Sequence, residues 1–192
     1  DWQARALEFL SQEQVRERPL ILDADILHNP DMSKLLPLLK KPILTPHPKE
    51  FQSLLSLCGL GTVSVEQIVE NRLELVKDFC SAYPGAVLLL KGANMTIGYC
   101  PEKGGKKKDE KTAVYINTFG MPCLAKGGSG DVLAGLVCAF LAQKYEPLDA
   151  AIQGSLLLAA SSRLQKSSYS STPFTLIQSL EEPEKLKKAL EG

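Results

Sequence analysis

The stretch AKGGSGDVLAGLVCAFLAQ, residues 125–143, gathers the residue types that hold and transfer a phosphoryl group. Gly127, Gly128 and Gly130 stand beside Lys126 and Ser129, directly before an apolar run with helical spacing. Glycine turns let successive backbone N–H groups converge on one point. A helix that follows adds its own unsatisfied N–H groups and the positive end of its dipole. Asp131 sits at the edge of such an anion hole, where it could take the proton of a hydroxyl attacking phosphorus. The dipole makes that carboxylate a weak base at rest, but the hydroxyl turns acidic as its bond to phosphorus forms. The plainer alternative is that Ser129 or Asp131 only caps the helix and the glycines only turn the chain. Gly135, inside the helix, costs about 1 kcal/mol there, which predicts close packing at that position.

Three other stretches carry candidate chemistry. LLLKGANMT, residues 88–96, ends a buried strand on Lys91 and Gly92, so Lys91 could meet a phosphate or simply fix a loop carbonyl. LTPHPKEF, residues 44–51, stiffens His47 between two prolines, with Glu50 close behind. Its alternative is a rigid turn with Glu50 in the first turn of a helix. LDADIL, residues 22–27, offers Asp23 and Asp25 at alternating positions of a strand, on one side of it. They could orient Mg²⁺-bound water or a substrate hydroxyl, or merely end the strand.

The elements that must position these residues alternate between strand and helix. Helical periodicity runs over 2–16, 31–40, 50–57, 132–144, 149–166 and 180–190. Ser64, with Glu66 and Gln67 behind it, predicts the cap of a long helix through 82. Short apolar runs at 19–25, 42–48 and 86–92 read as buried strands, and 94–100 with 112–118 as further extended pieces. The charged, glycine-bearing segment between these last two reads as a solvated hairpin tip. SSYSSTP, residues 167–173, reads as a polar loop. This alternation predicts an α/β fold with a mostly parallel sheet and right-handed crossovers. Ligands of such sheets bind beyond the carboxyl ends of the strands, which predicts one rim holding Asp23, Asp25, Thr45, His47, Lys91 and Gly92.

The composition is that of one soluble domain: 192 residues, 44% hydrophobic, 23% charged, net charge zero. A neutral chain has no global pull toward nucleic acid or an acidic membrane surface. Five scattered cysteines without a C-x-x-C pair read as reduced thiols in a cytoplasmic protein. No apolar run reaches the roughly 18 residues of a membrane span. DWQARALEFL opens on a helix already under way, so the chain is expected to be a fragment or a processed product.

In this order, LDADIL, LTPHPKEF, LLLKGANMT and NTFGMPCLAKGGSGDVLAG resemble the ADP/ATP-dependent NAD(P)H-hydrate dehydratases of the ribokinase-like superfamily. The likeness runs from about Pro19 to the C-terminus. It implies a ribokinase-like three-layer α/β/α sandwich over 1–192 as a single domain, with an N-terminal portion missing. It implies a hydro-lyase of metabolite repair, which phosphorylates the ring hydroxyl of (6S)-NADHX or NADPHX from ADP or ATP with Mg²⁺, then loses phosphate. The pattern assigns substrate binding to Thr45, Pro46, His47, Pro48, Glu50, Phe51 and Asp131. Nucleotide binding falls to Lys91, Gly92, Ala93, Asn94, Met95, Thr96, Lys126, Gly127, Gly128, Ser129 and Gly130, and the catalytic base is Asp131. A fused epimerase domain or upstream segment and a symmetric homo-oligomer are implied partners. The family's D-A-D-x-L-N pattern departs here, with His28 in the place of asparagine and Asn29 one step on.

Two other functions fit the same loop. A ribokinase-like kinase of a vitamin precursor would share the anion hole and the base, although the TPHP-x-EF element argues against it. A nucleotide-binding module without turnover would keep the glycines and lose the chemistry.

Overall fold

The computed structural model describes residues 2–102, 111–167 and 171–191; the expected hairpin tip at 103–110 lies outside them. The chain divides into two compact units, one of Asp1–Leu90 with Thr96–Tyr115, the other of Lys91–Met95 with Ile116–Gly192.

The first unit carries the sheet. Helices α1 (Trp2–Leu10) and α2 (Glu13–Arg16) lead into β1 (Pro19–Leu22). Then come α3 (Met32–Leu35), β2 (Lys41–Leu44), α4 (Pro48–Leu57), α5 (Val65–Glu70), α6 (Arg72–Ala82) and β3 (Val87–Leu90). Strands β4 (Met95–Tyr99) and β5 (Ala113–Asn117) complete a five-stranded sheet in the order β1-β2-β3-β4-β5. β1, β2 and β3 run parallel, with Leu22 opposite Leu44 and Leu44 opposite Leu88. β4 turns back antiparallel to β3, pairing Leu90 with Thr96, so the sheet is mixed, with its β1-β2-β3 part parallel as expected. β3 is buried at every position, as a central strand covered on both faces must be. Phe51, Leu54, Phe79 and Leu88 are fully enclosed in the core beneath the helices. β4 can approach α6 only because residue 98 is glycine: a Cβ there would lie 2.4 Å from Val76 Cγ1 and 2.8 Å from Cys80 Sγ. Burial in that contact pushes the Cys80 thiol up to about 12, the mark of an inert packing cysteine.

Several elements are shorter than periodicity alone predicts. The 2–16 helix breaks at Ser11 and Gln12, and the 64–82 helix breaks at Asn71. Both breaks fall at polar residues whose side chains compete with helical backbone bonds. Ser64 does cap α5, taking the Gln67 N–H at 3.2 Å while the Gln67 side chain takes its own. Only Met32–Leu35 of 31–40 is α-helical, since Pro37 forces the chain into a 3-10 turn.

The second unit is helical: α7 (Ser129–Ala142), α8 (Pro147–Arg163), α9 (Pro173–Gln178) and α10 (Pro183–Glu191). α9 falls at the end of what reads as a polar loop. Pro173 starts it with φ already set, and Thr172 caps it by accepting the Thr175 N–H at 3.2 Å. α7 and α8 pack backbone to backbone at Gly154, where a Cβ would stand 2.7 Å from Val137 Cγ2. Gly135 does not make the close contact expected of it, since a Cβ there has no neighbour within 4 Å among the described residues. The small residue that the helix pair requires is on α8, facing Val137, one turn's reach away from where sequence spacing looked for it.

Candidate functional site

The candidate residues fall into two groups, one in each unit. In the first, β1 ends at Leu22, and Ala24 turns the chain with φ +59°, a left-handed conformation that costs a non-glycine residue energy. A 3-10 turn, Ala24–His28, follows. Asp25 is therefore not on the strand, and the expected alternation of Asp23 and Asp25 on one strand face does not hold. His28 reaches α4 instead, with Nδ1 2.8 Å from Ser53 Oγ. Asn29 is buried, donating to Gln3 Oε1 at 3.1 Å and accepting the Asp31 N–H at 3.0 Å.

Beside it, β2 ends at Leu44 and Thr45 carries the pairing one step further, donating its N–H to the Leu22 carbonyl at 3.1 Å. Thr45, Pro46, Glu50 and Phe51 are all buried, whereas Pro48 is half-buried and His47 exposed. His47 is the cap of α4. Its Nδ1 accepts the Glu50 N–H at 3.2 Å, and Glu50 Oε2 accepts the His47 N–H at 2.7 Å. Nδ1 as acceptor leaves the proton on Nε2, which lies 3.1 Å from Glu50 Oε1. Both ring nitrogens thus lie against one buried carboxylate residue, Glu50, while the side chain as a whole stays exposed. Phe51 anchors the turn of helix behind it, edge-on to Phe79 with ring centroids 5.8 Å apart.

In the second unit, Lys91 follows β3 directly and is half-buried, and Gly92, Ala93 and Asn94 form an exposed turn. Met95 and Thr96, the first residues of β4, are buried. The glycine loop lies at the start of α7, and the segment leading to it is pinned to α8. Asn117 Nδ2 donates to Ser155 Oγ at 3.3 Å, the Met121 N–H to Ser162 Oγ at 3.2 Å, and Arg163 Nε to the Phe119 carbonyl at 3.1 Å. The cap of α7 is Gly128 at φ +88°, and no side chain caps the helix. Ser129 turns its hydroxyl backward, to the carbonyls of Leu124 at 2.7 Å and Lys126 at 3.0 Å. Among the described residues no side-chain acceptor caps the first turn of α7, where the Ser129 N–H lies 3.5 Å from the Lys126 carbonyl and the exposed Asp131 stands within the turn. Capping by Ser129 or Asp131, the plainer alternative, is not what this loop does.

Three residues that sequence reasoning passed over, Ser171, Thr172 and Pro173, brace the loop. Pro173 Cγ lies where a Cβ on Gly128 would be, 2.4 Å away, so position 128 requires glycine twice, by φ and by space. Lys126 Nζ donates to the Ser171 carbonyl at 3.3 Å. Thr172 fixes the turn between the two. The signal was present as Thr-Pro-x-Thr, a capping box with proline at the first helical position.

A family model described as NAD(P)H-hydrate dehydratase matches residues 2–182. The chain belongs to this family. It is 44% identical over 164 residues to the bifunctional NAD(P)H-hydrate repair enzyme Nnr of Helicobacter pylori, a match that covers 85% of this chain and 32% of that protein. Among solved structures it resembles the ADP/ATP-dependent NAD(P)H-hydrate dehydratase from Bacillus subtilis, co-crystallized with ATP/Mg²⁺. The TM-score is 0.65 at 25% identity, covering 89% of this chain and 55% of that one. A ribokinase-like superfamily protein from Enterococcus faecalis V583 aligns with 99% of this chain and 59% of its own length, at TM-score 0.65 and 26% identity. The ribokinase-like fold class read from the sequence therefore stands. The chain spans about a third of that curated relative, and somewhat more than half of each solved structure.

Proposed function

We propose that this chain carries the nucleotide-dependent dehydration of (6S)-NADHX and NADPHX, returning NADH and NADPH. The observation that supports it best is the open first turn of α7: a glycine cap at φ +88°, no side-chain acceptor, and Asp131 inside the turn. Membership of the dehydratase family supplies the substrate class.

In this reading the backbone N–H groups of residues 128–130 hold the phosphoryl group being transferred from ADP or ATP. Asp131 accepts the ring hydroxyl proton as that oxygen bonds to phosphorus and the donor's bridging oxygen leaves. The phosphate ester is a far better leaving group than hydroxide. Its C–O bond then breaks, the neighbouring ring carbon loses a proton, and the ring double bond returns. The exposed turn Lys91–Asn94 belongs to nucleotide binding. His47, its nitrogens set against Glu50, belongs to substrate binding. Thr45, Pro46, Glu50 and Phe51 shape that loop from beneath, and Met95 and Thr96 do the same for the Lys91 turn.

Mg²⁺ bound with the nucleotide would offset the negative charge of the donor phosphates. Among the described residues no three His, Cys, Asp or Glu gather into a metal cluster. The reading further includes a single domain over 1–192, supported by the continuous family match over 2–182. It includes an upstream epimerase partner, supported by the bifunctional name of the Helicobacter relative. Homo-oligomeric assembly and a cytoplasmic location complete it, the latter supported by five free cysteines.

The test is to mix the full-length protein with NADHX, Mg²⁺ and ADP or ATP, and to follow the near-ultraviolet absorbance of NADH. Appearance of NADH with one nucleotide establishes the activity and names the donor. A folded protein that binds nucleotide yet makes no NADH with either contradicts the dehydratase, and phosphorylation of a vitamin precursor is then the reaction to assay.

A further inference from the structure

We propose that Lys126 is a positioning residue: its ammonium clips the glycine loop to the segment Ser171–Pro173 and so sets the loop's grip on phosphate, without itself touching the nucleotide. The inference rests on the reading of that loop as the phosphoryl site.

Two contacts join the loop to this segment at the two sides of Gly127. On one side Lys126 Nζ donates to the Ser171 carbonyl at 3.3 Å. On the other, the Pro173 ring lies against Gly128, at the place a Cβ would occupy. Ser171 is a buried residue, only 3% exposed. A buried carbonyl that loses a charged donor is costly, and the segment that bears it must shift to find another partner. Between Ser171 and Pro173 stands Thr172, whose cap of α9 makes the turn stiff, so a shift at Ser171 is passed to the proline ring. Gly128 is the cap of α7, with φ +88°. Movement of the ring against it changes the aim of the N–H groups at 128–130. Lys126 itself is held from behind, since the Ser129 hydroxyl donates to its carbonyl at 3.0 Å. Its ammonium is thereby drawn toward a fixed backbone oxygen.

The shared segment gives a readout that a direct phosphate ligand would not show, because two losses that act through one brace do not add. The experiment measures ADP and ATP affinity by titration calorimetry on the full-length protein for wild type, Lys126→Met, Pro173→Ala and the double variant. The proposal expects Lys126→Met to weaken nucleotide binding about tenfold. Pro173→Ala should weaken binding in the same direction, and the double variant should bind about as weakly as the worse single variant. Lys126→Met should remain folded by circular dichroism with a modestly lower melting temperature, because the Ser171 carbonyl loses its charged donor. Unchanged affinity in Lys126→Met overturns the proposal. So does a double variant whose loss is the sum of the two single losses, or a Pro173→Ala variant that binds normally, either of which assigns Lys126 to the phosphate instead. A wild-type protein that binds neither nucleotide overturns the phosphoryl-site reading itself, and this inference falls with it.

Discussion

Helices α4 and α7 both begin at a loop rich in candidate chemistry, yet their first turns are finished in opposite ways. At α4 every device for closing a helix end is used. His47 and Glu50 exchange two hydrogen bonds, and Pro48 supplies a first residue with no N–H to satisfy. At α7 the cap is a glycine, the neighbouring serine turns its hydroxyl backward, and the aspartate in the first turn is exposed. A closed helix end gives stability and a fixed loop shape. An open one gives up that stability and keeps a set of N–H donors for something that arrives later. The difference separates the two loops: the His47 ring is spent on closing its helix end, and Asp131 stands exposed in a first turn that no side chain among the described residues caps.

The comparison breaks first at Asp131. Asp131→Asn keeps the shape of the turn and removes the proton acceptor. Turnover should fall about a thousandfold, with nucleotide affinity close to wild type. Steady-state kinetics with calorimetric binding checks both halves, and near-native turnover would remove Asp131 from the mechanism. Gly128→Ala comes next. A Cβ at φ +88° and 2.4 Å from Pro173 Cγ displaces the loop, so nucleotide affinity should drop about tenfold or more, the fold surviving by circular dichroism. The smallest effect belongs to His47. Replacing it with alanine opens the α4 cap and should cost about 1 kcal/mol of stability in denaturant titration. His47→Asn, a good cap, should restore most of that stability. If substrate KM rises equally in both variants, the imidazole face is what the substrate meets; if it recovers in the asparagine variant, His47 acts through loop shape alone.

Much of this arrangement is legible in the sequence, because the relevant signals are local. The glycines of residues 127–130, the prolines around His47 and the buried run before Lys91 each declare a turn or a strand end by their own chemistry. Strand ends and helix types fail where one residue decides against its neighbours. Ala24 takes a left-handed turn that no propensity favours, and that single angle removes Asp25 from β1. Gly135 and Gly154 look equivalent as helical glycines, yet only the second faces another backbone, a fact that depends on how α7 and α8 pack. The brace formed by Lys126, Ser171 and Pro173 joins residues 45 positions apart. Neither composition nor periodicity carries information about such a contact, although the capping box that makes it rigid can be read directly.

The contrast between the two helix starts is tested most directly by amide NMR of the ¹⁵N-labelled protein during titration with ADP or ATP. The N–H signals of Ser129, Gly130 and Asp131 should move with the bound fraction, while those of Glu50 and Phe51 hold their positions. Movement at Glu50 and Phe51 with none at Ser129, Gly130 and Asp131 would contradict the account, for it would put the phosphate at the closed end and leave the open one unused.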